Sequence, residues 1–324
     1  MVRRMSETLP RHPDFDDGVF LWDDSYSGRY QPVSYANQFD DQWRLFLEKR
    51  RGFHNHTGVE TADEYIDDRI YEITGVRDYM LRRRFGPLAP LVGKLTGRTK
   101  RAERRGVGGR LYIEPKFPID FFDGKRCLDL GCGAGRWTRT LMRLGAKVKS
   151  ADVSPHALKS VRRFNADVEE LSVFDIIPAR PDLHGAFDAV LCWGVLIHVH
   201  DPKLGFANAA AAVKPGGYMY FAVYAPTYHA SDAVRSARKR YHRDLKTFDE
   251  RLAYAYELTN RDLDNAINYL DMLNTFYDWT VDEQTIRKWC ADNGLNEPVF
   301  LNRHDPNLCH HHVLVEKPAR SSAA

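Results

Sequence analysis

The stretch "CLDLGCGAGRWTR", residues 127 to 139, constrains this chain more than any other part of it. An apolar run breaks into Gly131, Gly133 and Gly135 and continues at once as a segment suited to a helix. A strand that ends in such a turn aims backbone N–H groups and a helix N-terminus at whatever lies beyond the sheet. Glycines let a ligand touch that backbone. The dinucleotide-binding spacing asks for a further glycine where this chain has Arg136, so the turn by itself fits a plain β-α connection as well as a ligand cradle.

The surrounding segments repeat the theme. "KRCLDL", "KVKSAD", "LSVF", "FDAVLCW" and "GYMYFAVY" read as strands with apolar residues on both faces, separated by helix-like stretches. That alternation predicts an α/β fold with a parallel sheet covered on both sides. Ser154 and Pro155 open one helix, "AAAAVKPGG" closes another, and a capping box from Thr280 to Glu283 opens a third that Gly294 ends. "PVFLN" and "HHHVLVE" form a final strand pair around the turn "RHDPNLC".

Acids follow the strands. Asp129 lies inside the first, and Asp152 ends the second, about twenty residues past Gly131, where a carboxylate can accept from both hydroxyls of a ribose. Val153 offers adenine a flat apolar neighbour. Asp175, ending the third strand before Ile176, is placed to accept from an adenine amino group. Each acid alone is equally a cap or turn residue; together with the glycine turn they form a nucleoside-binding pattern.

"LDLGCGAG", "ADVSPHAL", "FDAVLCWGVLIHV" and "VKPGGYMYF", in this order, resemble the class I S-adenosylmethionine-dependent methyltransferases over about residues 119 to 224. "YANQFDDQWRLF", "HTGVETADEYIDDRIYEITG" and "LDMLNTFYDWTVDEQTIRKWCADNGL" are similar to flanking segments of a bacterial subgroup, from which residues 82 to 117 depart. The resemblance implies a Rossmann-like, seven-stranded, mainly parallel sheet with an antiparallel last strand, and S-adenosyl-L-methionine over the carboxyl ends of its first strands. Gly131, Cys132, Gly133 and Gly135 would line the methionyl portion, with Asp129 near its ammonium. Asp152 would hold the ribose, and Val153, Asp175 and Ile176 would frame the adenine. Trp193 would wall the methionyl pocket or belong to the core, and Gln42 and Trp43 would close the cofactor side.

A sulfonium is already a good leaving group, so methyl transfer needs chiefly in-line placement and a site closed to water. For a hydroxyl acceptor His198 is the candidate base, the alternative being a histidine that only holds its loop; His200 fits a helix cap. On an antiparallel last strand His310 and His312 share one face at the active-site end, with His311 opposite. They suit contact with substrate, an imidazole metal site with His304, or a solvated turn; the expectation is no metal. Aromatics of residues 226 to 279, Tyr277 among them, suit a planar acceptor or the core of a lid.

The expected organisation is a partly disordered segment at 1 to 33, a helical cap at 34 to 118 with a basic insertion at 82 to 110, the methyltransferase domain at 119 to 317 with its helical lid, and a tail at 318 to 324. Lys and Arg number 47 against 44 acids, a balance that names neither nucleic acid nor membrane as a partner. Residues 82 to 110 differ locally, with ten Lys/Arg against Glu103. Five scattered cysteines suit reduced thiols, and the N-terminus lacks the apolar core of a signal peptide. A cytoplasmic enzyme is expected, methylating oxygen or nitrogen of a small molecule or biosynthetic intermediate. The alternatives are RNA methylation with the basic segment as phosphate-binding arm, and a non-catalytic cofactor-binding scaffold.

Overall fold

The computed structural model describes residues 19–30, 39–40, 43–44, 63–95, 117–228, 232–262, 266, 269–270, 273–303 and 308–319. Its strands are β1 (Val19–Leu21), β2 (Arg126–Leu130), β3 (Lys147–Asp152), β4 (Val168–Glu170), β5 (Phe187–Trp193), β6 (Val213–Tyr224), β7 (Asp278–Thr280), β8 (Val299–Phe300) and β9 (His310–Glu316). They form one sheet in the order β1-β7-β6-β5-β2-β3-β4, with β9 antiparallel to β6 and β8 antiparallel to β9. The other pairings are parallel. The fold is the expected α/β sheet with an antiparallel last strand.

The central strands serve two cores, as a sheet covered on both sides requires. In β5, Val190 and Cys192 join a cluster with Phe206 and Trp289, while Ala189 and Leu191 join one with Ile70 and Leu141. The first cluster is covered by the helices Pro202–Ala212 and Glu283–Asp292. The second is covered by α1 (Asp63–Thr74) and by the helix Arg136–Arg143 that follows the glycine turn.

Four expectations need correction. The third strand is Val168–Glu170 rather than "LSVF": Val173–Asp175 is a 3-10 turn in which Ser172 and Asp175 make a capping box. The last helix is capped by Asp282, which accepts from Thr285 N, because Thr280 is held in β7. Asp201, not His200, caps the helix Pro202–Ala212, while His200 lies against the Phe174 ring at 4.2 Å. Finally, the sheet has nine strands among the described residues, not seven. The unforeseen pair arises because β6 runs on past its last pairing with β5, at Ala222, and offers Tyr224 to β7, whose other edge takes β1. Residues 278 to 280 therefore belong to the sheet and not to the lid.

The lid builds its own core. The helices Asp232–Arg243 and Phe248–Leu258 bury Ala237, Tyr241 and Ala255 with Leu270 and Leu273, and Tyr254, Tyr256 and Tyr269 pack on that cluster. Phe276, Tyr277 and Trp279 belong instead to the main core. Within the N-terminal 33 residues, Trp22 and Tyr30 are buried there too, and Asp201 holds that segment by accepting from Ser27 Oγ and Gly28 N.

Candidate active site

The glycine turn sits at the carboxyl end of β2, with all three glycines at positive φ: +73° at Gly131, +52° at Gly133 and +92° at Gly135. Space forbids a side chain as firmly as conformation does. A Cβ on Gly131 would stand 2.1 Å from Val195, one on Gly133 2.8 Å from the Trp43 ring, and one on Gly135 2.6 Å from Phe164. The turn is thus wedged between the loop after β5, the N-terminal segment and the residues that follow the helix Pro155–Val161.

Asp152 fixes this turn to β3. One carboxylate oxygen accepts from Gly133 N at 2.8 Å and the other from Ser154 N at 2.8 Å. An ionised carboxylate offers about four acceptor sites, more than these amides fill. Burial raises the Asp152 pKa above the ordinary carboxylate range, against the pull of those amides.

Asp129 is buried and accepts from Thr138 Oγ1 at 2.6 Å; Thr138 in turn meets Ser150 Oγ, which accepts from Asn165 Nδ2 at 2.9 Å. Burial pushes the Asp129 carboxyl up to about 6, with the nearby Asp152 adding to the shift and the Thr138 hydroxyl opposing it. A carboxyl held this way gains by meeting a cation. Cys132 is buried against Leu158 and Val161, and burial pushes its thiol far up. Asp175 is exposed and accepts from Ser172 N within its own turn, and Ile176 is wholly buried in the core. Val153 is half-buried beside Asp152.

Residues 39–40 and 43–44 lie at the site's rim. Asp40 accepts from Ser154 Oγ and His156 N and stands 2.7 Å from His156 Nδ1, while Trp43 covers Gly133 and Phe39 lies 5.8 Å from the His198 ring. Gln42, expected beside Trp43, lies outside the described residues.

His198 ends a 3-10 turn after β5, and its surroundings were the least legible part of the sequence. Its Nδ1 stands 3.0 Å from the Tyr277 carbonyl oxygen and 3.0 Å from Asp278 Oδ1. Both neighbours are acceptors, which assigns the ring proton to Nδ1 and leaves Nε2 able to accept one. Asp278 Oδ2 pairs at 2.9 Å with Arg238 Nη1, and Arg238, fully buried in the helix Asp232–Arg243, also donates to Thr275 Oγ1 and the Thr275 carbonyl. Tyr277 contributes its carbonyl here; its ring is buried, stacked at 5.7 Å on Trp279.

His310 and His312 do share a face. His310 lies 4.9 Å from Tyr224, which stacks on Tyr228 at 4.1 Å, and burial with the neighbouring imidazoles drives the His310 pKa down to about 4. His312 packs edge-on against Trp193 at 4.5 Å, and Trp193 completes a cluster with Trp137 and Tyr220. Below them Glu72, wholly buried, pairs with Arg69 at 2.5 Å, accepts from Tyr220 Oη at 2.7 Å and faces His312 Nδ1 at 3.6 Å. Burial alone would raise the Glu72 carboxyl; Arg69 and His312 overcome it and hold the group at about 2. His311 points the other way, against Phe300. Among the described residues no group of three His, Cys, Asp or Glu can hold a metal ion, and His304 lies outside them.

Sequence reasoning missed Asp278, Arg238, Glu72 and Arg69. The two acids sit in short ordinary-looking segments, and only their burial marks them.

Comparison with known proteins adds the following. A family described as "Methyltransferase domain" matches residues 101–297. The ubiquinone biosynthesis O-methyltransferase of Thiobacillus denitrificans is 39% identical over 116 residues, 34% of this chain and 47% of that protein. Its counterpart in Ralstonia nicotianae is 36% identical over 104 residues, 30% of this chain and 42% of that protein. The chain thus spans less than half the length of these curated relatives. The crystal structure of magnesium protoporphyrin IX methyltransferase from Synechocystis is 13% identical with a TM-score of 0.42, covering 87% of this chain and 98% of that one.

Proposed function

We propose, from the premise that this chain belongs to the class I S-adenosylmethionine-dependent methyltransferase family, that it methylates a hydroxyl oxygen of a small organic acceptor with S-adenosyl-L-methionine as donor. The observation that carries the reading is that one sheet end gathers the Gly131–Gly135 turn, the two-oxygen carboxylate of Asp152 and an imidazole whose Nδ1 is committed to acceptors. The relatives named for O-methylation support oxygen as the target.

The residues fit the donor's chemistry. A nucleoside with no phosphate needs no cation at the glycine turn, and the side chains that crowd its three missing Cβ positions are Val195, Trp43 and Phe164. Asp152 keeps acceptor sites for a ribose diol, and the buried Asp129 suits an ammonium. Gly131, Cys132, Gly133 and Gly135 form the backbone beside the methionyl portion, with Trp193 as its wall and Val153 beside the adenine. Asp175 and Ile176 act there through the shape of their turn. When bound, S-adenosyl-L-methionine supplies a methyl group activated by its sulfonium.

His198 Nε2 takes the proton of the acceptor hydroxyl, and the Asp278 carboxylate steadies the imidazolium that forms. Phe39 and Trp43 exclude water from the rim. His310 and His312 line the acceptor's side with Tyr224 and Trp193. In this division of labour residues 119–317 carry out transfer, 34–118 cap the site, and the insertion from 226 holds Asp278 through Arg238.

Two measurements test the reading. Calorimetry should detect S-adenosylhomocysteine binding that Asp152→Ala abolishes, and methyl-labelled donor should pass label to hydroxyl-bearing metabolites in fractionated extract. Label entering RNA alone, or binding without transfer to any fraction, overturns it.

A further inference from the structure

The element after α1 presents its apolar side outward. Between α2 (Tyr79–Phe85) and α3 (Ala89–Leu95) runs a 3-10 turn, and along this element Ala89 and Gly93, one helical turn apart, face inward and are buried. Leu88, Leu91 and Leu95 face outward and are 61%, 57% and 78% exposed, with Phe85 beside them at 37%. Their spacing of three and four residues puts the leucines on one stripe. Small residues inward and large apolar ones outward is the reverse of a helix that serves its own core. Four of the ten large apolar side chains exposed among the described residues fall in this stretch, which single scattered exposures would not produce.

The stripe is bordered by cations. Arg82, Arg83, Arg84 and Lys94 are exposed, and the sequence from Tyr79 to Ala102 contains no acid. The element is anchored: Leu81 is buried, Met80 N donates to Asp67 Oδ1 at 2.6 Å, and Tyr79 and Met80 pack on the cluster of Ile66, Ile70 and Ile73. It therefore hangs from α1, the helix that carries Glu72 and Arg69.

We propose that residues 79–95 seat this protein on an anionic lipid bilayer. The leucines enter the boundary between headgroups and acyl chains while the arginines meet lipid phosphates. The combination selects that partner. A nucleic acid would use the cations but gain nothing from an outward leucine stripe; Tyr79 packs on the core, and the exposed aromatic side chain here, Phe85, already lies 5.3 Å from the Arg84 guanidinium. A second copy of the chain would bring the same basic border against itself, like charge to like. Among the described residues no helix is long and apolar enough to cross a membrane, so the contact is at the surface. The proposal is independent of the methyl-transfer reading.

The test is co-sedimentation of the full chain with vesicles of phosphatidylcholine alone, and of phosphatidylcholine with about one third phosphatidylglycerol. Two variants accompany it, Leu88→Ser with Leu91→Ser and Leu95→Ser, and Arg82→Gln with Arg83→Gln and Arg84→Gln. The expected result is binding to the mixed vesicles only, reduced about tenfold or more by either variant, with unchanged thermal midpoints because the altered side chains are exposed. If the leucine triple melts early, Leu91→Ser alone serves, with a smaller but measurable loss. Three results overturn the proposal: no sedimentation of the wild type, loss with the arginine variant while the leucine variants bind normally, or a leucine-dependent dimer in sedimentation velocity without vesicle binding.

Discussion

Two clusters in this molecule combine an imidazole, a buried carboxylate and a guanidinium, yet they are built oppositely. In the first, His198, Asp278 and Arg238 come from a loop, a strand and the lid, and the carboxylate stands 3.0 Å from the imidazole. In the second, Glu72 and Arg69 lie one turn apart on α1, and the Tyr220 hydroxyl takes the carboxylate oxygen while His312 stays 3.6 Å away. In the first cluster the Tyr277 carbonyl takes the Nδ1 hydrogen bond, and the carboxylate stands beside the ring as an anion able to stabilise an imidazolium. A carboxylate already satisfied by an arginine and a tyrosine holds structure together.

The sharpest way to break this contrast is to remove each imidazole. His198→Gln should lower kcat by about 10²–10³-fold and leave KM nearly unchanged, as expected for loss of a general base. His312→Gln should lower it by less than about tenfold. Steady-state kinetics decide, and equal losses would erase the distinction.

Next comes stability. Glu72 is held at about 2 against an ordinary 4.5, so its ionised form stabilises the fold fully above the unfolded value and that contribution fades as pH falls through about 2. At about 1.4 kcal/mol per pKa unit it is worth about 3 kcal/mol at neutral pH. Glu72→Gln should lose that amount in urea unfolding and flatten the acid limb of the stability curve. The Arg69 guanidinium left without its anion adds to the cost.

A smaller effect is expected at Asp278. Asp278→Asn should reduce kcat about tenfold in the wild type and have almost no further effect in a His198→Gln background, since the two act as one unit. Additive losses would mean that Asp278 acts through the fold alone.

Smallest is a pH effect at Asp129. Its carboxyl is raised by burial from an ordinary 3.8 to about 6, so the empty protein loses stability as pH rises from the unfolded value to about 6, and a bound ammonium would recover part of it. S-adenosylhomocysteine should bind a few-fold more tightly as pH rises through about 6, and Asp129→Asn should remove that rise. Calorimetry in two buffers measures it.

The sequence displayed its glycines plainly, because a positive φ and a backbone without room for a Cβ can be met by little else. It displayed the β-α alternation for a similar reason, since a strand buried on both faces must be apolar throughout. Asp152 was legible as the acid ending the strand beside that turn. Asp175 misled: its strand proved to be Val168–Glu170, three residues with little apolar character, while the more apolar "LSVF" coils into a capped turn.

What the chain alone determined, then, is local: where the backbone must turn, which segments must be buried, and which strand end carries the glycine turn with Asp152 beside it. Only the tertiary structure decided which side chains act on His198. Asp278 is separated from it by the whole lid, and it meets His198 with Arg238 behind it because β6 extends beyond β5 and leaves an edge for β7. Hydrogen-bond partners follow from that docking of elements and leave no spacing in the sequence to betray them. The outward leucines of α3 are the reverse case, since their periodicity was always present but its direction was set by which side found the core.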